Sequence, residues 1–171
     1  MRSSFDTPAR KRLLFLAMSG VRVFDQELLA LGLTLPGFVE RSRVIASLPS
    51  LGLLTLAAHT SEGWNIAYRE HDETPPCAAQ SIADEGFAVV AVSSLTARIE
   101  EAYALSRELR ALGILVIIGG LHASALPEEA AKHCDIVVRG EGEIVWPRLI
   151  ADLEQGSWRS LYDSSSAGIP S

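Results

Sequence analysis

The chain has 171 residues, of which 48% are hydrophobic, and its 15 basic and 21 acidic side chains give a net charge of -6. This length suits one domain with its own core, and the acidic balance argues against nucleic acid or an anionic membrane as a partner. No apolar run reaches the roughly 20 residues of a membrane-spanning helix. The two cysteines, Cys77 and Cys134, lie too far apart for a paired zinc or iron–sulfur motif. We therefore expect a reduced, cytoplasmic protein without a metal site of its own.

The strands are predicted from the distribution of apolar residues along the chain. The runs 13–18, 87–93, 114–119 and 135–140 are almost continuously apolar, which is typical of parallel strands covered on both faces. A fifth run, Trp64–Glu70, alternates apolar and polar residues, so we place it nearer an edge of the sheet. Together these runs predict five strands.

Helical patterns separate the strands, at 48–59, at 96–112, from Pro127 onward and at 143–155. The helix at 96–112 is expected to end at Gly113, and the one at Pro127 begins with a proline and two acids, which suit a first turn. Residues 1–12 are expected to form an N-terminal tail, 13–155 the domain, and 156–171 a linker or C-terminal tail. The long leucine-rich segment 21–47, with a short helix at 25–31, is interpreted as a partner surface or a lid.

This order of elements predicts an α/β fold: a doubly wound five-stranded parallel sheet of flavodoxin-like (Rossmann-like) type, with right-handed crossovers throughout. Such sheets bind ligands at the carboxyl ends of their strands. The candidate binding residues are therefore those that follow the strands: Ser19, Gly20, Ser93, Ser94, Leu95, Thr96, Gly119, Gly120, Leu121, His122, Gly140, Glu141, Gly142 and Glu143. None of them is predicted to be catalytic or to bind a metal.

The residues at these strand ends exclude several ligands of this architecture. A phosphoacceptor receiver needs carboxylates around magnesium, whereas Met18, Ser93 and Arg139 stand at the corresponding places. The first turn lacks the hydroxyl-rich phosphate loop of a flavodoxin, and it lacks the G-x-G-x-x-G sequence of a dinucleotide-binding fold. What remains is a site of small residues that suits a large, mostly neutral group lying against backbone.

Four segments carry a resemblance to a known family: PSLGLLTLAA at 49–58, VAVSSLTARIEEAYALSRELRALG at 90–113, VIIGGLHASALPEEA at 116–130 and DIVVRGEGEIVWPRLIADL at 135–153. Together they closely resemble the N-terminal cobalamin-binding domain of cobalamin-dependent radical SAM enzymes. The glycine–histidine turn, followed at this distance by Gly-Glu-Gly-Glu, is the most specific part of the resemblance. It extends over most of residues 13–153.

The resemblance implies cobalamin bound base-off, with its nucleotide tail buried along the strand ends. Ser93, Ser94 and Thr96 would then offer hydroxyls to the tail, and Gly119 and Gly120 would let it lie against bare backbone. Residues 140–143 would close the far side, with amide groups at the start of the helix facing oxygens of the ligand. His122 and the pair Glu141 and Glu143 could each touch the ligand or have a purely structural role.

The sequence departs from the family pattern in two ways, which narrow the predicted mode of cobalamin binding and the predicted activity of the chain. The sequence after the first strand is MSGVRV, which lacks the D-x-H-x-x-G histidine that ligates cobalt from below in other cobalamin domains. The chain also lacks the C-x-x-x-C-x-x-C triplet that holds a [4Fe-4S] cluster, so the cluster and S-adenosylmethionine would belong to a radical SAM domain in cis or in trans. By itself the chain is predicted to catalyse no reaction.

These observations lead to three hypotheses about the function of the chain. The first hypothesis is that the chain is the cobalamin module of a radical SAM enzyme, for which a methyltransferase is favoured. The second is a stand-alone, non-catalytic cobalamin carrier or sensor that docks on a partner protein. The third is a doubly wound interaction domain without a cofactor.

Overall fold

The structure, a computed structural model, describes residues 11–18, 50–71 and 79–166. Within these residues one parallel sheet of six strands has the order β2-β1-β3-β4-β5-β6. The predicted parallel sheet is thus confirmed, with six strands rather than five, and the alternating strand β2 lies at an edge as expected. The strands are β1 Lys11–Met18, β2 Trp64–Glu70, β3 Val89–Ser94, β4 Leu115–Gly119, β5 Ile136–Arg139 and β6 Leu161–Asp163.

Helices connect these strands at or close to the predicted positions. Ser50 begins the first helix, where its hydroxyl accepts a hydrogen bond from the Leu53 amide, as a capping serine does. Two helices, α2 and α4, were given no position from the sequence, because elements of five or six residues are too short to show a helical period. The described helices are α1 Leu51–Ala58, α2 Ala79–Asp84, α3 Ile99–Ala111, α4 Leu121–Ala125, α5 Pro127–Ala130 and α6 Gly142–Glu154, with 3-10 turns at Thr96–Arg98 and Ser164–Ser166.

Both faces of the sheet are covered, because successive residues of each strand point to opposite faces. On one face Leu16, Val90 and Val116 belong to a core with side chains of α2 and α3. On the other, Phe15 packs beside Trp146 of α6, with 5.5 Å between ring centroids, in a core that also includes Leu53 of α1. The continuously apolar strands are therefore buried on both faces, as their sequence predicts, and the sheet is doubly wound.

The sixth strand lies in the segment 156–171, which was expected to be a linker or tail. It is only three residues long, and it pairs in parallel with β5, in the register Val138 to Tyr162 and Arg139 to Asp163. A strand this short, with one buried residue, carries no readable hydropathy pattern. The hydroxyl of Tyr162 anchors it by donating to Asp152 of α6 at 2.7 Å.

The last crossover differs in hand from those between β3 and β5. Helices α3 and α5 contribute to the core on one face of the sheet, and α6 contributes to the core on the other, although all three connections step in the same direction along the sheet. The unit β5–α6–β6 therefore has the opposite, rare hand. The expectation of right-handed crossovers throughout is wrong for this unit, because α6 packs beside α1.

Several predictions lie outside the described residues: those for Ser19, Gly20, the segment 21–47 with its helix at 25–31, and Cys77. No helix among the described residues is both long and apolar enough to cross a membrane.

Candidate functional site

A row of small residues crosses three neighbouring strands at the carboxyl edge of the sheet. Ala17 of β1 pairs with Ser93 of β3, and Ser93 pairs with Gly119 of β4, so all three lie on the face covered by α1 and α6. Larger side chains there would fill the space under the two helices. Beside the small residues at positions 93 and 119 lies a cavity of about 190 Å³, called here the groove.

Three parts of the chain line the groove: the ends of the inner strands, the turn after β5, and the facing sides of α1 and α6. Seven of the fourteen predicted binding residues are among the lining residues, and whether they bind a ligand stays a prediction. The lining residues are Gly52, Leu53, Leu56, Ala91, Val92, Ser93, Ile117, Gly119, Gly120, Val138, Gly140, Glu141, Gly142, Glu143 and Trp146.

The two glycines after β4 have different roles. A Cβ atom on Gly119 would lie 3.5 Å from the Val138 Cβ, which is ordinary contact, so the absent side chain keeps the groove open. Gly120 has a φ of 100°, and a Cβ there would lie 2.9 Å from the Ser94 carbonyl oxygen. Gly120 is therefore required by the turn itself, and Gly119 is the residue whose substitution reports on the groove.

The turn after β5 is held from two sides by serine hydroxyls. The Gly140 amide donates to Ser124 Oγ of α4 at 2.9 Å, and the Glu141 amide donates to Ser164 Oγ at 2.9 Å. These two amides are therefore engaged within the protein. The amides of Gly142 and Glu143, in the first turn of α6, are the ones placed to meet oxygens of a ligand.

The outer wall of the groove comes from residues that the sequence analysis assigned only to helices. Gly52, Leu53 and Leu56 of α1 face Trp146 of α6 across it. A Cβ on Gly142 would lie 3.4 Å from Leu56 Cδ2, so the two helices approach closely at this point. In the sequence these residues have the apolar pattern of a helix packed on a core, and only the fold shows that part of this surface lines a groove.

Five predicted residues are not among the lining residues of the groove. Ser94 is buried and its hydroxyl donates to the Leu95 carbonyl. Leu95 and Leu121 are exposed near the carboxyl edge of the sheet, with Leu121 74% accessible. Thr96 and His122 belong to a polar cluster. Whether any of the five touches a ligand stays a prediction.

His122 is the centre of this polar cluster, which includes Thr96, Tyr103 and Glu129. Its Nε2 lies 3.1 Å from Glu129 Oε1 and its Nδ1 lies 3.2 Å from Thr96 Oγ1. The Tyr103 hydroxyl also donates to Glu129, at 3.2 Å. The hydrogen bond from His122 lowers the pKa of Glu129, and burial with the nearby carboxylate raises the pKa of Tyr103. His122 therefore holds Thr96 and Glu129 together, and whether it also touches a ligand stays a prediction. Glu129 has hydrogen-bond partners in this cluster in addition to its place in the first turn of α5.

Neither a histidine nor a cysteine is among the described residues that line the groove. None of the four histidines, all of which are described, lines it. No group of three or more His, Cys, Asp or Glu side chains within residues 11–18, 50–71 and 79–166 could hold a metal ion. Burial raises the pKa of the Cys134 thiol to about 11, so this cysteine is a poor thiolate ligand.

These features define a class of protein. A doubly wound parallel sheet has a groove at the carboxyl ends of its strands, glycines let a ligand approach the backbone, and no basic side chain is among the described lining residues. This is a binding domain for a bulky organic cofactor. The family of the B12 binding domain matches residues 43–150, more than half of the sequence, and the chain belongs to that family. The resemblance stated from the sequence is thereby confirmed, and cobalamin is identified as the cofactor class.

Curated relatives are methyltransferases. The chain is 33% identical to bacteriochlorophyllide d C-12(1)-methyltransferase of Chlorobaculum tepidum, over 68% of this chain and 25% of that protein. It is 38% identical to bacteriochlorophyllide d C-8(2)-methyltransferase of the same organism, over 47% of this chain and 18% of that protein. An uncharacterized methyltransferase of Pyrococcus horikoshii is 28% identical, over 63% of this chain and 25% of that protein. The matched part is therefore a quarter or less of each relative.

Proposed function

We propose that this chain binds cobalamin base-off, as the cofactor module of a radical SAM methyltransferase in the cytoplasm. One observation carries the proposal: the groove opens at the carboxyl ends of β3 to β5, where glycines and Ser93 leave backbone accessible to a bulky, mostly neutral ligand. The residues fit such a group, because a side chain at Gly119 would fill the space that a buried nucleotide tail needs.

The residues of the groove would divide the binding between them. Gly119 and the apolar side chains of Val138 and Trp146 would contact the planar base of the tail. The Ser93 hydroxyl and the amides of Gly142 and Glu143 would bind its polar atoms. When bound, cobalamin would supply cobalt as a carrier of a methyl group, and the part of these residues would be to hold its nucleotide tail.

Absorbance spectroscopy tests the proposal directly. Purified chain titrated with hydroxocobalamin should give a saturable change in the cobalamin spectrum with the shape of the base-off form. If the spectrum remains identical to that of free hydroxocobalamin at all protein concentrations, the result would favour the third hypothesis, an interaction domain without a cofactor.

The lower face of cobalt should carry no imidazole, since the sequence after the first strand, MSGVRV, contains no histidine. Electron paramagnetic resonance of the bound cobalt(II) form should therefore lack nitrogen superhyperfine splitting. Replacing His59, His71, His122 and His133 one at a time by Ala should leave the signal unchanged. Splitting that one of these variants removes would identify an axial histidine and contradict the proposal.

The chain should not cleave S-adenosylmethionine by itself. Its two cysteines cannot supply the three ligands of a radical SAM cluster, and Cys134 is buried. Incubated with reductant and S-adenosylmethionine, the cobalamin-loaded chain should yield no 5′-deoxyadenosine, and its iron content should stay at background. Formation of 5′-deoxyadenosine in a clean preparation would contradict the module reading.

The alternative is a stand-alone carrier, which predicts the same binding. The small share of each curated relative that the chain matches supports the module reading, since in those proteins the matched region belongs to a larger methyltransferase. A search of the coding sequence for a cysteine triplet after residue 171 distinguishes the two.

A further inference from the structure

The turn that forms one wall of the groove depends on a residue outside the region matched by the B12 binding domain family. The family match ends at residue 150, and Ser164 follows β6. Its Oγ accepts the Glu141 amide hydrogen at 2.9 Å. A Cβ atom on Gly140 would overlap the same hydroxyl. Ser164 therefore lies directly against the turn and excludes any side chain at residue 140.

The position of Ser164 is built into the fold by the pairing of β6 with β5 and by a hydrogen-bonded turn after β6. Strand β6 runs parallel to β5 with Arg139 opposite Asp163, so the residue after β6 reaches the same edge as Gly140. The Val137 amide donates to the Ser160 carbonyl at 2.8 Å at the other end of the pairing. The Ser165 amide in turn donates to Asp163 Oδ1 at 2.9 Å, and this backbone hydrogen bond fixes the chain just after β6.

The amide held by Ser164 stands at the start of α6. Glu141 is the N-terminal cap of that helix, and its own side chain makes no capping hydrogen bond. The direction of its peptide group decides where the next amides, Gly142 and Glu143, point. With the Gly140 amide bound to Ser124 on the other side, two consecutive peptide groups are fixed by hydroxyls from two different elements.

We propose that Ser164 is a positioning residue of the cofactor site, which fixes the Glu141 peptide so that Gly142 and the first amides of α6 line the groove. It acts through the turn and does not touch the ligand. This inference rests on the proposed function in one respect: the expected weakening of cobalamin binding requires that the chain binds cobalamin. The hydrogen bond from the Glu141 amide to Ser164 is a property of the cofactor-free chain. Strand β6 accordingly supports the binding site from outside the region of the family match.

The test uses the full chain and two neighbouring serines. Ser164→Ala removes the hydroxyl that accepts the Glu141 amide hydrogen. Ser165→Ala removes a hydroxyl that donates to Asp163 and keeps the backbone hydrogen bond from the Ser165 amide to the same carboxylate. In the cobalamin-free protein, hydrogen exchange of the Glu141 amide should become about fivefold faster in Ser164→Ala, since a single hydrogen bond contributes roughly this factor. The dissociation constant for hydroxocobalamin should rise by a similar factor, about fivefold. Ser165→Ala should change neither by more than about twofold, and Ser164→Thr, which keeps a hydroxyl, should restore both toward wild type.

The outcomes separate this inference from the proposed function. An unchanged hydrogen-exchange rate of the Glu141 amide in Ser164→Ala overturns the positioning role, whatever the chain binds. Faster exchange with unchanged cobalamin affinity, or an equal effect of Ser165→Ala, also overturns it, because Ser164 would then be a structural residue only. Failure of the wild-type chain to bind hydroxocobalamin refutes the proposed function, and with it the link to cobalamin, whereas the exchange experiment still decides whether Ser164 holds the turn.

Discussion

The variant Gly119→Val should lose cobalamin binding by about 100-fold, the upper end of what overpacking of a tight site costs. Its Cβ would sit in ordinary contact with Val138, so the new methyl groups would extend into the groove without displacing backbone. Valine also suits a strand position. Titration with hydroxocobalamin measures the loss, and far-ultraviolet circular dichroism confirms that the variant is folded.

Two further variants make this result specific. Gly119→Ala adds only the Cβ and should weaken binding by a smaller factor. Gly63→Val is the matched control, because Gly63 precedes β2 at the opposite edge of the sheet and a Cβ there would lie 3.7 Å from the nearest atom, Glu154 Oε1. It should change the affinity by less than about twofold. Wild-type affinity in a folded Gly119→Val protein would show that the tail does not lie in the groove.

Trp146→Ala should lower the free energy of unfolding by about 3–5 kcal/mol, the usual cost of removing a large aromatic side chain from a core. Trp146 is fully buried, packs beside Phe15, and donates its indole N–H to Thr60 Oγ1 at 3.0 Å. The loss is a large fraction of the roughly 5–15 kcal/mol that stabilises a typical domain. Urea denaturation followed by circular dichroism measures it.

The control for this variant is the same substitution at an exposed tryptophan. Trp158 is 45% accessible and lies in the connection to β6. Trp158→Ala should cost less than about 1 kcal/mol. If the two variants were equally stable, the packing of α6 on the sheet beside Phe15 would be wrong.

The comparison of Gly119 with Gly120 shows how far the sequence could predict the site. A glycine pair after an apolar run indicates a turn or a close approach; the turn is confirmed at Gly120, and the approach of a ligand at Gly119 stays a prediction. The sequence cannot assign them, because the distinction depends on the Ser94 carbonyl, which a neighbouring strand brings to within 2.9 Å of a Cβ at residue 120. Similarly, Ser93 and Ser94 read alike in sequence, but the alternation of a strand sends only Ser93 toward the groove.

The sequence by itself determined the parallel sheet, the edge at which the groove lies and the family, because continuous apolar runs, glycine turns and their spacing are local features of the chain. Only the tertiary structure decided that α6 returns to the face of α1, that β6 extends the sheet, and that Ser164 reaches the Glu141 amide. These depend on which face a helix covers and on contacts between residues distant in the chain. A three-residue strand and a single serine hydroxyl show no periodic pattern in the sequence. Their positions are set by the packing of α6 on the sheet and by the pairing of β6 with β5.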